Sequence, residues 1–328
     1  MKIFLYISLL ALVFISHSMR DYVSNFSYNL QKTCLSYSPK DLQQHETLAA
    51  LVCGSKLKPK SEIQQIMIQA QLIHIIVVSG SHLQVLQNIF QFFKVPRFFI
   101  HLLLVLYSLL TGFQPPCVRA LLLHFFRGFN QSYHWSIHPM SLQIYVTLIL
   151  LTIFPEWIHS FSFTLSCLAS MALSFPIWKF KNKAFNEWQR TLLVHIFVCG
   201  MMSAFSFKGF LANLLFAPLV GWGLFPLALS IYGAHIFYYQ WDLLLTSLHT
   251  DFYWNLPRPL IYYLKFLFDG FLNTLLTALK QLLIFPLQNN MSAPYLVRPW
   301  SVALFWILFL IPMQILVKIR EWKIRYLD

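Results

Sequence analysis

Long apolar runs fill most of this chain, and polar residues enter them in tight clusters rather than along a repeating face. Runs at 139–154, 160–178, 191–207, 210–231, 259–285 and 300–317 approach or reach the length of a bilayer-crossing helix, which takes about 20 mostly apolar residues. The segment 63–93 starts amphipathic, with Gln64, Gln65, Gln69, Gln71 and His74 set among Ile and Met. Such a face meets water or protein rather than lipid. Residues 98–110 are too short to cross hydrocarbon roughly 30 Å thick. With 112–116 as a break and 118–126 beyond it, they read as one discontinuous helix.

A second interruption lies at Val77-Val78-Ser79-Gly80-Ser81-His82. Irregular backbone and ionisable side chains persist in hydrocarbon only when packed in protein or facing a water-filled path. The pattern predicts an all-α fold: a polytopic integral membrane helical bundle with discontinuous helices and about seven to nine membrane segments.

The ends and the charges supply orientation. Lys2 and the apolar run 3–16 form either a cleaved signal peptide or a first membrane helix. Ser16-His17-Ser18 is a poor small-residue cleavage site, which favours an uncleaved helix with its amino end inside. Residues 20–62 are the one long polar stretch, with six basic residues against four acidic ones, a near balance suited to the outer side. Lys179, Lys181, Lys183 and Arg190 make a short basic loop, and Lys318, Arg320, Lys323 and Arg325 a second cluster. Both belong in the cytoplasm, and the even number of spans between them agrees. The expected division is 1–19 as first helix or signal-like segment, 20–62 as a short extracytoplasmic segment, 63–317 as the membrane domain and 318–328 as a basic tail.

Composition agrees with the pattern. The 328 residues are 58% hydrophobic and only 11% charged, against roughly a quarter charged in soluble domains. The net charge of +13 has two readings: ordinary enrichment of cytoplasmic loops in Lys and Arg, or an anionic partner such as nucleic acid. Cys34 and Cys53 both lie in the polar stretch. An extracytoplasmic location permits a disulfide between them, the other reading being two free thiols, while Cys117, Cys167 and Cys199 sit in apolar runs as small core residues.

Several chemistries lack their residues. The chain has no phosphate-binding loop of the G-x-x-x-x-G-K-S/T type, no H-E-x-x-H and no paired C-x-x-C frame. His134 and His138 have a metal-compatible spacing, but Pro139 is expected to end any helix that carries both. Ser79 and His82 stand three apart, a spacing open to a dyad but equally to packing. No catalytic residue, metal or cofactor is expected, and the chain is read as a non-enzyme.

The broken segments also carry a resemblance. The runs 48–55 (L-A-A-L-V-C-G-S) and 71–82 (Q-L-I-H-I-I-V-V-S-G-S-H) resemble the entry of the ComEC competence domain. Residues 111–120 (T-G-F-Q-P-P-C-V-R-A) resemble that family's "T-G-F-S-P-P-x-V-R-A", and 163–169 (F-T-L-S-C-L-A) its "F-Q-L-S-F-L-A". Residues 213–220 (N-L-L-F-A-P-L-V) are similar to a later "N-L-L-A-x-P-L-V". Ser81, Gln114 and Thr164 depart from the family's Leu, Ser and Gln.

The resemblance implies a membrane channel that passes single-stranded DNA across the bacterial cytoplasmic (inner) membrane during natural transformation. Carried over, Ser79, Gly80 and His82 line or shape the path, Gly112, Pro116 and Arg119 do so from the broken helix, and Asn213 and Pro218 from the later segment. A cytoplasmic helicase-like motor and an extracytoplasmic DNA receptor are the implied partners, beside membrane lipid, and homo-oligomerisation stays open. Longer relatives carry an OB-like domain and a metallo-β-lactamase-like domain. Residues 20–62 are too few for a complete OB barrel, and no metal-hydrolase motif follows Asn213, so strand degradation is expected from another protein.

Each candidate has a plainer reading. Arg119 either attracts phosphate from a lumen or caps carbonyls freed by Pro115 and Pro116. His82 is a packing residue or a proton carrier. Gly80 and Gly112 allow close helix approach, and Asn213 bonds between helices. The rival functions are a small-solute or lipid transporter on the same fold and a non-conducting scaffold.

Overall fold

A computed structural model describes residues 20–42, 44–76, 79–174, 186, 189–195, 207–247 and 257–284. The expected spans 191–207 and 300–317, the first helix 1–19, the loop lysines Lys179, Lys181 and Lys183, Cys199 and the tail 318–328 lie wholly or mostly outside the described residues. Every regular element among those described is helical. They are α1 (20–36), α2 (His45–Cys53), α3 (Glu62–Gln69), α4 (Ile73–Ile76), α5 (Gly80–Phe92), α6 (Arg97–Leu110) and α7 (Pro115–Ser132). After them come α8 (Pro139–Ile153), a 3₁₀ turn (Pro155–His159), α9 (Phe161–Ser174), α10 (189–195), α11 (Phe207–Leu219), α12 (Phe225–Ser247) and α13 (Pro257–Ile284). Two helical stretches are long and apolar enough to cross a membrane, Phe207–Gln240 and Pro259–Ile284, while α6, α8 and α9 are shorter apolar helices.

Local chemistry explains where these helices start and stop. The Ser61 Oγ accepts the Gln64 N–H at the head of α3. The α5 helix ends in a Schellman turn: Lys94 adopts a left-handed φ of 55°, its N–H reaches the Gln91 carbonyl, and the Val95 N–H reaches that of Phe90. The break between α6 and α7 is confined to Thr111–Gln114. Pro115 and Pro116, expected inside the break, open α7 instead, because a first helical turn needs no N–H from its proline. In the same way Pro139 starts α8 rather than ending a preceding helix, and His138 caps it by accepting the Met140 N–H on Nδ1 at 3.2 Å. The preceding helix has already stopped at Ser132.

The chain folds as two compact units. One contains α7, α8, the 3₁₀ turn, α9 and α10; the other contains most of α1, then α2–α6 and α11–α13. One crossing between the units falls between Gln114 and Pro115, at the end of the sequence break. In the first unit the core is Phe163, Met140, Leu142, Ile144 and Cys117. In the second it is Leu48, Leu51, Met67, Leu72, Leu104, Phe225 and Phe268.

Most of the polar stretch, residues 24–62, is thus a structural part of the second unit, with α2 contributing buried Leu48, Leu51 and Cys53. Cys34 and Cys53 are joined by a disulfide that closes α1 onto α2.

Candidate functional site

In the first unit the outstanding group is Arg119. It sits one turn into α7 with only 4% of its surface exposed. Its Nε and Nη2 both donate to the Ser166 Oγ, at 3.1 and 2.9 Å. Its Nη1 donates to the Gln143 Oε1 at 2.9 Å and the Ser170 Oγ at 2.6 Å. Those acceptors lie on α8 and α9, so one side chain joins three helices.

The network continues past the guanidinium. Ser170 also donates to the Gln143 Oε1 at 2.5 Å, and the Gln143 Nε2 donates to the Ser170 carbonyl and the Ser174 Oγ, each at 3.3 Å. Every acceptor of Arg119 is neutral. A guanidinium keeps its charge, so this unit holds a buried positive charge dispersed over hydroxyls and an amide rather than cancelled by a carboxylate.

The second unit gathers most of the other sequence candidates. Ser79 precedes α5, and its N–H donates to the His82 Nδ1 at 3.0 Å. The proton of a neutral His82 ring then resides on Nε2. That atom is buried without a hydrogen-bond partner among the described residues, and the ring packs T-shaped with Phe225, centroids 4.4 Å apart. Tyr107 packs on the same phenyl ring. His82 thus braces the head of α5 against the start of α12, and the Ser79 Oγ contacts Ser81 at 2.7 Å.

The α6 break is held from α1. Gln31 Nε2 donates to the carbonyls of Cys53 (2.9 Å), Gly54 (3.2 Å) and Thr111 (3.3 Å). Gly54 and Gly112 both have left-handed backbones, φ 69° and 77°. A Cβ on Gly112 would fall on the Gln31 amide, and one on Gly54 would lie 2.6 Å from the Thr111 carbonyl. The freed carbonyl of the break is therefore satisfied by Gln31, not by Arg119, which points to its own network.

A third polar contact joins distant stretches. The Asn213 Nδ2 donates to the Gly209 carbonyl at 2.8 Å and to that of Gln71 at 3.4 Å. Gly209 lets the buried Gln71 side chain lie directly against α11, since any Cβ there would clash with it. Pro218 sits inside α11, two residues before a π-helical turn at Val220–Leu224. A proline removes a backbone donor, and widened turns of this kind accommodate the mismatch.

The candidates therefore separate. Ser79, Gly80, His82, Gly112, Asn213 and Pro218 belong to the second unit, Pro116 and Arg119 to the first. Gln31, Gln143 and Ser170 were not singled out from sequence. A signal for part of this set was available: Ser166, Ser170 and Ser174 recur every four residues, marking one polar seam along α9. Gln143 is the single amide in α8.

The order of these motifs along the chain has a match among known proteins. A family model described as competence protein covers residues 51–318. The chain belongs to the competence protein family. All the motif residues above lie within that match except those of α1 and the first part of α2. An uncharacterised protein of Mycoplasma pneumoniae is similar at 26% identity over 227 residues, 62% of this chain and 60% of that relative. The chain thus spans about 60% of the length of the curated relative it matches. No solved structure matches.

Proposed function

We propose that this competence-family chain is a membrane channel passing single-stranded DNA across the bacterial cytoplasmic membrane during natural transformation. Family membership over residues 51–318 carries the reading. The buried Arg119, its donors taken by Ser166, Ser170 and Gln143, organises the α7–α9 unit rather than meeting phosphate itself. No Asp or Glu occurs between Glu62 and Glu156, a stretch holding both broken motifs, and Asp269 is the one carboxylate within Phe207–Gln240 and Pro259–Ile284. In this reading the chain makes and breaks no covalent bond. Energy comes from a cytoplasmic motor, and DNA arrives from an outer receptor.

The test follows labelled DNA in the source cell after clean deletion and complementation. Surface-bound and cytoplasmic DNA are scored separately. The expected result is DNA that still binds outside but does not enter, with entry restored by the wild-type chain. Arg119→Lys keeps charge, so its accumulation in the membrane is measured beside its uptake. Unchanged entry in the deletion strain would remove the DNA reading and leave the transporter or scaffold.

A further inference from the structure

The tip of the α5–α6 hairpin has chemistry that neither the channel reading nor the family match uses. Its sequence is Phe92-Phe93-Lys94-Val95-Pro96-Arg97-Phe98-Phe99. All four phenyl rings are exposed, Phe92 by 81% and Phe98 by 72%. The Lys94 and Arg97 side chains are exposed between them and make no ion pair or hydrogen bond among the described residues. The Schellman turn closing α5 and Pro96 at the head of α6 make this a built corner, with the rings in edge-to-face pairs, Phe92 with Phe93 and Phe98 with Phe99.

Helix length restricts what the hairpin can do. The α5 helix has 13 residues and α6 has 14, each about 20 Å long at the rise of an α-helix. Neither crosses hydrocarbon of roughly 30 Å. The outward face of α6 carries Phe98, Leu102 and Leu106, all exposed and spaced four apart, as a lipid-facing stripe would be. Placing the tip in mid-bilayer would strand two cations in hydrocarbon, at about 2.5–3.5 kcal/mol each. With the tip at a headgroup layer the rings enter the acyl boundary, and the cations meet phosphate.

We propose that this corner is a docking tip for an anionic membrane surface: Phe92, Phe93, Phe98 and Phe99 insert at the acyl edge while Lys94 and Arg97 bind lipid phosphates. The α5–α6 pair is then an interfacial hairpin rather than two spans, its other end, with Ser79–His82 and Thr111–Gln114, about 20 Å away along the helices. The occupant is lipid because the rings carry no polar atom and are splayed edge to face, and the charge beside them is purely positive.

The test uses the full chain in single-copy nanodiscs, with Cys117, Cys167 and Cys199 replaced by Ala and the disulfide kept. A fluorophore is placed by Phe98→Cys, with Lys56→Cys as the aqueous reference. Quenching is compared for aqueous iodide and for spin-labelled phosphatidylglycerol or phosphatidylcholine. The expected result is protection of position 98 from iodide and preferential quenching by phosphatidylglycerol. In a Lys94→Gln/Arg97→Gln background that preference falls about fivefold per cation removed, while protection from iodide persists. Iodide access equal to that of the reference overturns the proposal. So does protection that appears only with a single-stranded oligonucleotide or only with two chains per disc. None of these readings depends on DNA transport.

Discussion

Arg119 and Ser166 are joined twice, Nε and Nη2 of the guanidinium meeting one serine Oγ at 3.1 and 2.9 Å. The two residues come from separate sequence motifs 47 positions apart. Arg119→Lys retains charge but offers no planar fork, so it cannot hold Ser166, Ser170 and Gln143 together. It is expected to destabilise the chain by about 2 kcal/mol, in the range for bonds to a charged group. Thermal unfolding in detergent checks this. In a double-mutant cycle with Ser166→Ala, coupling of about 1 kcal/mol is expected; strict additivity would show that the bond is energetically idle.

Gly112 is expected to tolerate no side chain. Its left-handed φ of 77° costs an L-residue roughly 1–2 kcal/mol, and a Cβ would also strike Gln31. Gly112→Ala should therefore lower stability, and Gln31→Ala in the same chain should recover only the steric part. Limited proteolysis at 111–114 separates the two contributions.

The Cys34–Cys53 disulfide closes a loop with sequence separation 19, a length for which chain entropy gives about 3 kcal/mol. Cys34→Ser/Cys53→Ser should lower the unfolding temperature, and reductant should lower it for the parent chain but not for the variant. Equal sensitivity of both to reductant would contradict the bridge.

Acid should act in part through Asp41. The hydrogen bond from Lys265, 2.6 Å long, holds its carboxyl below the usual range, with burial opposing it. The unfolded value is about 3.9, so the contribution is fully present above that pH and lost as pH falls through the lower folded value. Asp41 is 68% exposed, and the effect is correspondingly small and screened by salt. Asp41→Asn should flatten the stability profile below about pH 4 at low salt and leave it unchanged at high salt.

Legibility from sequence followed the range of the forces involved. The break before Pro115 was visible because glycine and proline act on their own backbone, although proline's fitness for a first turn moved the edge of the break to Gln114. The role of Arg119 was not visible. The choice between phosphate and freed carbonyls omitted the acceptors it uses, because Gln143 and Ser170 look like ordinary polar residues until α8 and α9 pack beside α7. Likewise nothing local marks Gln31 as the cover of a carbonyl 80 positions away.

By itself the sequence determined the helical class, the apolar segments, the sites of interruption and the family. Each is written in nearest-neighbour terms: run length, periodicity, glycine and proline. Only the tertiary structure decided which polar group satisfies which. It assigned Thr111 to Gln31, the His82 ring to Phe225 and Arg119 to a serine seam. The reason is physical: a buried polar group needs a partner, and its identity depends on which helices pack together, a choice made by the whole apolar surface rather than by any one residue.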